Sequence, residues 1–585
     1  MSLNSHRLNL DTGSVVAMLC WAALAGVGGA LVTLAFHAGI HAIQRIFAEQ
    51  PGLITQVMGS LDWRLQLLVP AVGGVCAGGL LLAAQRVSND RHSGYMEAVA
   101  IGDGRMSLGQ GLLRSLSSLC TVASGGSIGR EGAMVHLAAL WSSGLGRILR
   151  IDTARLRLLA ACGAAAGVSA AYGAPLAGAV FVGEIILGSM SFQNFGPLLV
   201  AAASSSLVMH LSGEYSARYP MPDLSAVPPE LFLPCLALGV LAGVGAAQFL
   251  RCLHGFKTLF ARTRLSLPLR LGLGGLLLGA LLTQLPDMAG NGNRVVLSLL
   301  HDNWAWQTVL LMLVCKVLAT ALTAGSGAVG GVFTPTLFVG GAFGVLFGQI
   351  LGDAWPMLAG HGAVFALVGM GAFLAAATSA PFMAILMIFE MTLSYQMVLP
   401  LVLACVVAYF VSRGLAQAVM YDVTLHHEDN QALRQRLRQA RLDSLLRPAE
   451  TVVLTSSPVR AAQEMFLDYP VRYLYVVDEA GHWQGVIAQQ DLTRMMLGEI
   501  DVGSKTCGDV LRLDFVKPLY PDLDLDEAQA QFSAFSGERL PVVSRDASAR
   551  LLGVVYKSDM LERYSQLKRA VDSEDAFVLS PRRRP

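Results

Sequence analysis

The chain has 585 residues, 54% of them hydrophobic and 14% charged, with a mean hydropathy of +0.54. A soluble domain carries about 25% charged residues, so this composition excludes a soluble globular protein. The net charge of +1 gives no pointer to nucleic acid, and nine scattered cysteines without a CxxC pair read as small buried hydrophobes rather than a metal site.

Residues 1–13 form a short N-terminal segment, and residues 14–425 are membrane-like. The first apolar stretch, 14–48, is too long for a signal h-region and reads as a first membrane helix with no cleavable leader before it. Further helical stretches are predicted at 65–85, 109–122, 133–149, 157–171, 175–190, 193–211, 230–255, 268–285, 306–324, 333–353, 360–378, 381–393 and 396–420. Several fall short of the roughly 20 residues of a simple span. Many are interrupted by Gly or Pro, a pattern that points to a transporter-like site near the midplane.

Two halves, 14–255 and 268–425, share ordered markers. Ser124-Gly125…Gly129 matches Ser326-Gly327…Gly331, and Gly163–Gly167 matches Gly371–Ala375. Ala174-Pro175 precedes Glu184 as Ala380-Pro381 precedes Glu390. This predicts a duplication and leaves open whether the halves are inverted. Arg251, Lys257, Arg262, Arg264 and Arg270 cluster between them. The positive-inside rule alone puts that linker in the cytosol, whereas inverted repeats with an odd number of spans put it outside.

The segment Ser124 to Gly132 sets Arg130 and Glu131 among glycines. An acid at bilayer depth costs roughly 2.5–3.5 kcal/mol on insertion scales, so it faces a protein interior or an ion path. Glycines let bare N–H groups turn toward a ligand, and a membrane tolerates such backbone only inside protein or beside a water-lined cavity. The segment reads as an anion site with Glu131 as a charge competing for it. Pairing with Arg130 is a poor alternative, because adjacent helical residues do not face each other.

After Tyr421 the composition changes. Residues 426–448 are a charged helical linker. Residues 449–505 and 506–566 are paired α/β units, each with two apolar strands around a short turn and then a helix. The strands are 474–478 and 484–487 in the first, and 540–543 and 552–555 in the second. The tail, 567–585, ends in RRRP and reads as disordered.

Taken together, these residues resemble the bacterial-type CLC family of chloride channels and chloride/proton exchangers, with a C-terminal CBS-domain pair. Gly129–Ala133 looks like the family's GREGP stretch and Gly330–Pro335 like its GGxFxP stretch. Ser93-Gly94 stands where the GSGIP loop is expected, and Tyr421 where a pore-lining Tyr is expected. The resemblance covers about residues 15–425 and 449–565. It implies an all-α polytopic membrane domain of duplicated, broken and re-entrant helices plus an α+β CBS tandem. It implies chloride transport by a homodimer in the lipid bilayer of the inner cell membrane, with the CBS pair in the cytosol. It implies no enzymatic step and no required cofactor.

By the same resemblance Ser93 and Tyr421 donate side-chain hydrogen bonds to a central chloride. The amides of Val332 and Phe333 complete that site, and those around Gly129, Arg130 and Glu131 serve a neighbouring one. Glu131 becomes the gate: its carboxylate imitates chloride, and protonation releases it. Ser93 favours chloride over fluoride or nitrate as a family rule. Asp491 and Asp559 stand where a ribose-binding Asp is found in CBS units, but Ala488 and Tyr556 replace the hydroxyl residues expected before them, leaving Tyr556 as a stacking group. An adenine-nucleotide sensor and a structural brace both stand as readings.

The main departure lies at Ile185, the position at which exchangers carry a proton-handing acid. An isoleucine carries no proton, which favours channel-like passive conduction. Chloride/proton exchange by another proton route stays open. Met96, His92 and Ala133 are milder departures. Glu184 and Glu390, at matched positions, are expected to serve helix ends and packing, and Lys316 to snorkel or pair with an acid. A CBS-containing divalent-cation transporter is a remote alternative that lacks its expected cluster of intramembrane acids. No nucleophile–base pair or metal-ligand cluster suggests an enzyme.

Overall fold

The computed structural model describes residues 12–87, 94–100, 102–188, 190–214, 219–221, 227–358, 360–415, 420–421, 440–494, 505–513, 515–535, 537–546 and 549–578. They form two units, 1–425 and 426–585, which fall where the composition changes.

The first unit is helical: α1 (Thr12–Phe47), α2 (Ile54–Ser60), α3 (Trp63–Val87), α4 (Tyr95–Ala100), α5 (Leu108–Ala123), α6 (Glu131–Ile148), α7 (Thr153–Tyr172), α8 (Pro175–Phe181), α9 (Phe192–Leu211), α10 (Phe232–Arg262), α11 (Leu267–Leu282), α12 (Asn293–His301), α13 (Trp306–Gly325), α14 (Phe333–Ala354), α15 (Gly362–Thr378), α16 (Pro381–Thr392) and α17 (Val398–Leu415). Among the described residues, eight helices are long and apolar enough to cross a membrane. The predicted boundary between halves at 255 falls inside α10, which runs on to Arg262. Arg251, Lys257 and Arg262 therefore lie on a helix rather than in a linker. The short helices α2, α4 and α12 were not predicted; each has fewer than ten residues, too few turns for apolar periodicity to declare itself.

α7 and α15 are built largely of Ala, Gly and other small residues and are buried along most of their length. Small side chains let neighbouring backbones approach, so packing rather than water exclusion holds such helices together in lipid. Asp152 starts α7 by accepting the Arg155 N–H at 3.3 Å, and Gly173, at φ +68°, ends it.

The duplication is visible in matched backbone. Ala174 (φ −127°, ψ 80°) and Ala380 (φ −132°, ψ 80°) precede prolines at the first positions of α8 and α16, where a missing N–H is harmless. Glu390 accepts the N–H groups of Leu176 and Ala177 at 2.9 and 2.7 Å. Glu184 accepts those of Phe382 and Met383 at 3.3 and 2.8 Å. Each acid thus lies beyond the end or in the last turn of its own helix and caps the other's first turn. The helices run antiparallel, as inverted halves require, and the expected helix-end role of both acids is what the geometry displays. The symmetry breaks after Phe181, where α8 passes into a π-helical turn, Val182–Leu187, carrying Glu184 and Ile185. Single π turns inside helices are frequent at functional positions.

The second unit contains β1 (Val452–Leu454), α18 (Val459–Asp468), β2 (Tyr473–Val477), β3 (Trp483–Ala488), α19 (Gln489–Arg494), α20 (Leu525–Ala534), β4 (Arg539–Val543), β5 (Leu551–Tyr556) and α21 (Lys557–Val578). β1 lies parallel to β2, with Val452 beside Tyr475, and β2 antiparallel to β3, with Tyr473 opposite Ala488. β4 and β5 are antiparallel with Leu540 opposite Val555. Register shifts recur at Val476/Val477 and Val542/Val543, the mark of two copies of one unit. Arg539 is buried, with its guanidinium 5.1 and 5.7 Å from the rings of Tyr475 and Tyr473. A desolvated cation–π contact contributes about 2 kcal/mol. The predicted disordered tail is corrected at its start, since α21 continues through Val578. Most of the predicted helical linker lies outside the described residues, and its end, Leu442–Leu445, is a 3-10 turn.

Candidate functional site

Glu131 opens α6 and Phe333 opens α14. The turns leading in are the matched glycine segments. Gly125 (φ +95°) and Gly327 (φ +101°) both take the left-handed backbone that glycine adopts without strain. The turns then meet. Gly129 donates its N–H to Gly331 O at 2.6 Å, and Gly331 returns one to Gly129 O at 2.9 Å, an isolated antiparallel bridge. Ser127 adds an N–H to Thr323 Oγ1 at 3.2 Å. This pairing brings two helix N-termini together. Their first N–H groups have no carbonyl one turn earlier, and their dipoles favour an anion.

The Glu131 side chain occupies this focus and is 5% exposed. Its Oε1 accepts from Asn291 Nδ2 and from Thr334 Oγ1, both at 2.9 Å. Its Oε2 is buried, with no hydrogen-bond partner among the described residues. That oxygen lies against Gly129, where an added Cβ would sit 1.9 Å away. The Thr334 hydroxyl is also 3.3 Å from Tyr172 Oη, and the Tyr172 ring packs 5.0 Å from that of Phe333.

Val332 and Tyr421 line one cavity of about 360 Å³ with Gly132, Gly330 and Gly331; Glu97, Arg114 and His136 also face it. Tyr421 meets the Phe181 ring edge-on at 5.9 Å. Ser93 and His92 lie outside the described residues, although Gly94 lines the same cavity. Gly129 needs a correction. Its amide is engaged with Gly331, so it contributes the lack of a side chain rather than a donor. Ile185 is fully buried.

Three residues at the site escaped the sequence reading. Thr334 follows Phe333 directly, and the signal for it was a hydroxyl in the first turn of the second anion-type helix. Tyr172 and Asn291 carry no such signal; Asn291 reaches Glu131 from 160 positions away. Lys316 also needs a correction. Among the described residues it meets no acid, and it does not snorkel. Fully buried, it donates to Met288 O at 3.1 Å and Gly290 O at 2.7 Å, with its Nζ 5.7 Å from the Phe338 ring centroid.

In the second unit both candidate ribose-binding acids carry an arginine. Asp491 meets Arg512 at 2.5 Å and Asp559 meets Arg447 at 2.7 Å, with Arg447 5.6 Å from the Tyr556 ring. The arrangement is reciprocal. Arg447 bridges to Val554 of the second copy and Arg512 to Val486 of the first.

Matched halves of broken helices meeting N-terminus to N-terminus at a buried acid are the architecture of a polytopic membrane protein. A family model described as voltage gated chloride channel matches residues 73–413, and a CBS-domain model matches 508–566. The chain belongs to the voltage-gated chloride channel (CLC) family and is a multi-pass membrane protein with a C-terminal CBS domain. It is 48% identical over 426 residues to a ClcB-like chloride channel protein of Ralstonia nicotianae, covering 71% of this chain and 98% of that one. It is 38% identical over 406 residues to the voltage-gated ClC-type chloride channel ClcB of Salmonella typhimurium, covering 68% and 97%. Among solved structures, a slow cyanobacterial Cl⁻/H⁺ antiporter is similar with a TM-score of 0.62 at 25% identity, covering 70% of this chain and 97% of that one. A eukaryotic CLC transporter shares the fold over 93% of this chain and 98% of its own, with a TM-score of 0.60 at 20% identity.

Proposed function

We propose that this protein carries chloride across the cell membrane between the Gly129–Gly132 and Gly330–Phe333 segments, and that Glu131 gates the path. The observation that carries this reading is the Glu131 carboxylate seated where the two helix N-termini converge. A carboxylate held there by neutral donors is a removable plug of chloride's own charge. Ser93, Tyr421 and the amides of Val332 and Phe333 then hold a central chloride, and amides near Arg130 and Glu131 a neighbouring one. Neutral donors bind an anion without trapping it, as conduction requires.

Passage is passive in this reading, because buried Ile185 offers no proton. Chloride/proton exchange is the second reading. It is favoured by the hydroxyls of Tyr172 and Thr334, which lead to Glu131 without using Ile185, and by the likeness to a Cl⁻/H⁺ antiporter. Reconstitution in liposomes with a chloride gradient and a proton readout separates them. The expected result is a zero-current potential that follows chloride alone. Uphill proton movement driven by chloride selects exchange, and no chloride flux removes both readings. The same proposal includes a homodimer with one pathway per subunit, an inner-membrane location and CBS units in the cytosol.

For the CBS pair, the Arg447–Asp559 and Arg512–Asp491 contacts favour a brace over a nucleotide sensor, because a ribose must displace an arginine to reach either acid. Calorimetric titration of the full-length protein with ATP, ADP and AMP is expected to give no saturable heat. Saturable heat with any of the three selects the sensor.

A further inference from the structure

The gate is held by a residue outside the anion-binding segments. We propose that Asn291, presented by a loop anchored on Lys316, is the latch that keeps the Glu131 carboxylate in its closed seat; this rests on Glu131 being the gate.

The loop before α12 folds around the buried Lys316 side chain. Lys316 Nζ takes the carbonyls of Met288 and Gly290 as acceptors. Gly292 (φ +83°) lies close against the same side chain, where a Cβ would stand 3.1 Å from Lys316 Cε and 2.7 Å from Phe338. Gly290 N–H points to Gly125 O at 3.4 Å, which ties the loop to the turn before Glu131. Asn291 is fixed between these anchors. Its Oδ1 accepts the Asn293 N–H at 3.3 Å, so its Nδ2 is the end that faces Glu131.

The chemistry gives the latch a direction. Nδ2 is a donor only, and Thr334 Oγ1 serves the same carboxylate oxygen. Two donors on Oε1 hold the charged form, and Oε2 has no hydrogen-bond partner among the described residues. Among the described residues, the charged and titratable groups around Glu131 are Arg130 beside it in sequence, Tyr172 at the end of α7, Tyr421 and, behind the loop, Lys316. Among the described residues, the hydrogen bonds that reach the carboxylate come from Asn291 and Thr334, and a point substitution removes either without altering charge.

The test uses full-length protein in liposomes and chloride flux measured against pH. Asn291→Leu keeps the approximate volume and removes the donor. Its half-maximal flux is expected about one pH unit higher than that of the wild type, because a carboxylate short of one donor leaves its seat at lower proton concentration. Thr334→Val is expected to move the same way. Glu131→Gln/Asn291→Leu is expected to match Glu131→Gln alone, since the latch acts only through the gate. An Asn291→Leu curve that overlays the wild type, while Glu131→Gln is pH-flat, overturns the latch and leaves the gate standing. A Glu131→Gln protein with the wild-type pH profile overturns the gate itself. An Asn291→Leu shift that persists in the Glu131→Gln background shows that Asn291 acts elsewhere and also overturns the proposal.

Discussion

Glu131→Gln is expected to give chloride flux that barely changes with pH and exceeds wild-type flux at neutral pH. The amide keeps the shape of the plug and one acceptor oxygen, but loses the charge. Hydrogen bonds to a charged acceptor contribute about 1.5–3 kcal/mol, against about 1 kcal/mol for neutral ones. Losing about 1–4 kcal/mol over the bonds from Asn291 and Thr334 lowers the seated-to-open ratio roughly 5- to 800-fold. Flux from chloride-loaded vesicles measures this directly. Retention of the wild-type pH profile would count against the gate, whatever the absolute rate.

The second large effect concerns stability. Glu390→Leu is expected to destabilise the membrane unit by about 2–4 kcal/mol, because it strips the acceptor from two N–H groups at the start of α8. Glu184→Leu should cost less, about 1–2 kcal/mol, since one of its two bonds lies in an exposed position and is long at 3.3 Å. Glu390→Gln should fall between wild type and Glu390→Leu, with a single acceptor remaining. Thermal midpoints of the detergent-solubilised variants rank the three. Equal effects of Glu390→Leu and Glu184→Leu would show that burial does not set the cost.

The long elements were legible because their signals are local. The apolar run 306–324 predicts α13 within a residue of its ends, and 333–353 predicts α14 as closely. The boundary at 425 was readable as a change of composition, and the paired strands of the second unit as repeated apolar runs. Glu131 and the glycine segments were legible as residues out of place in a membrane. What stayed hidden is long-range. The bridge between Gly129 and Gly331, the reach of Asn291 and the burial of Lys316 all depend on which distant segments meet. Lys316 illustrates the limit well. In a sequence it is a cation needing an acid, whereas in the fold two backbone carbonyls and an aromatic face satisfy it. Arg447 and Arg512 show the same for the second unit, where a motif-based nucleotide reading could not see that its acids are already paired.

The exchanged caps of α8 and α16 have a consequence for biosynthesis. The acceptor for the Leu176 amide is made 214 residues later than the amide itself. A ribosome that has finished the first half has therefore released a helix whose end lacks this acceptor until Glu390 emerges. Both caps therefore close only after the second half has been made. The same exchange ties their evolutionary fates, because a mutation in either copy of the duplicated acid injures the helix encoded by the other.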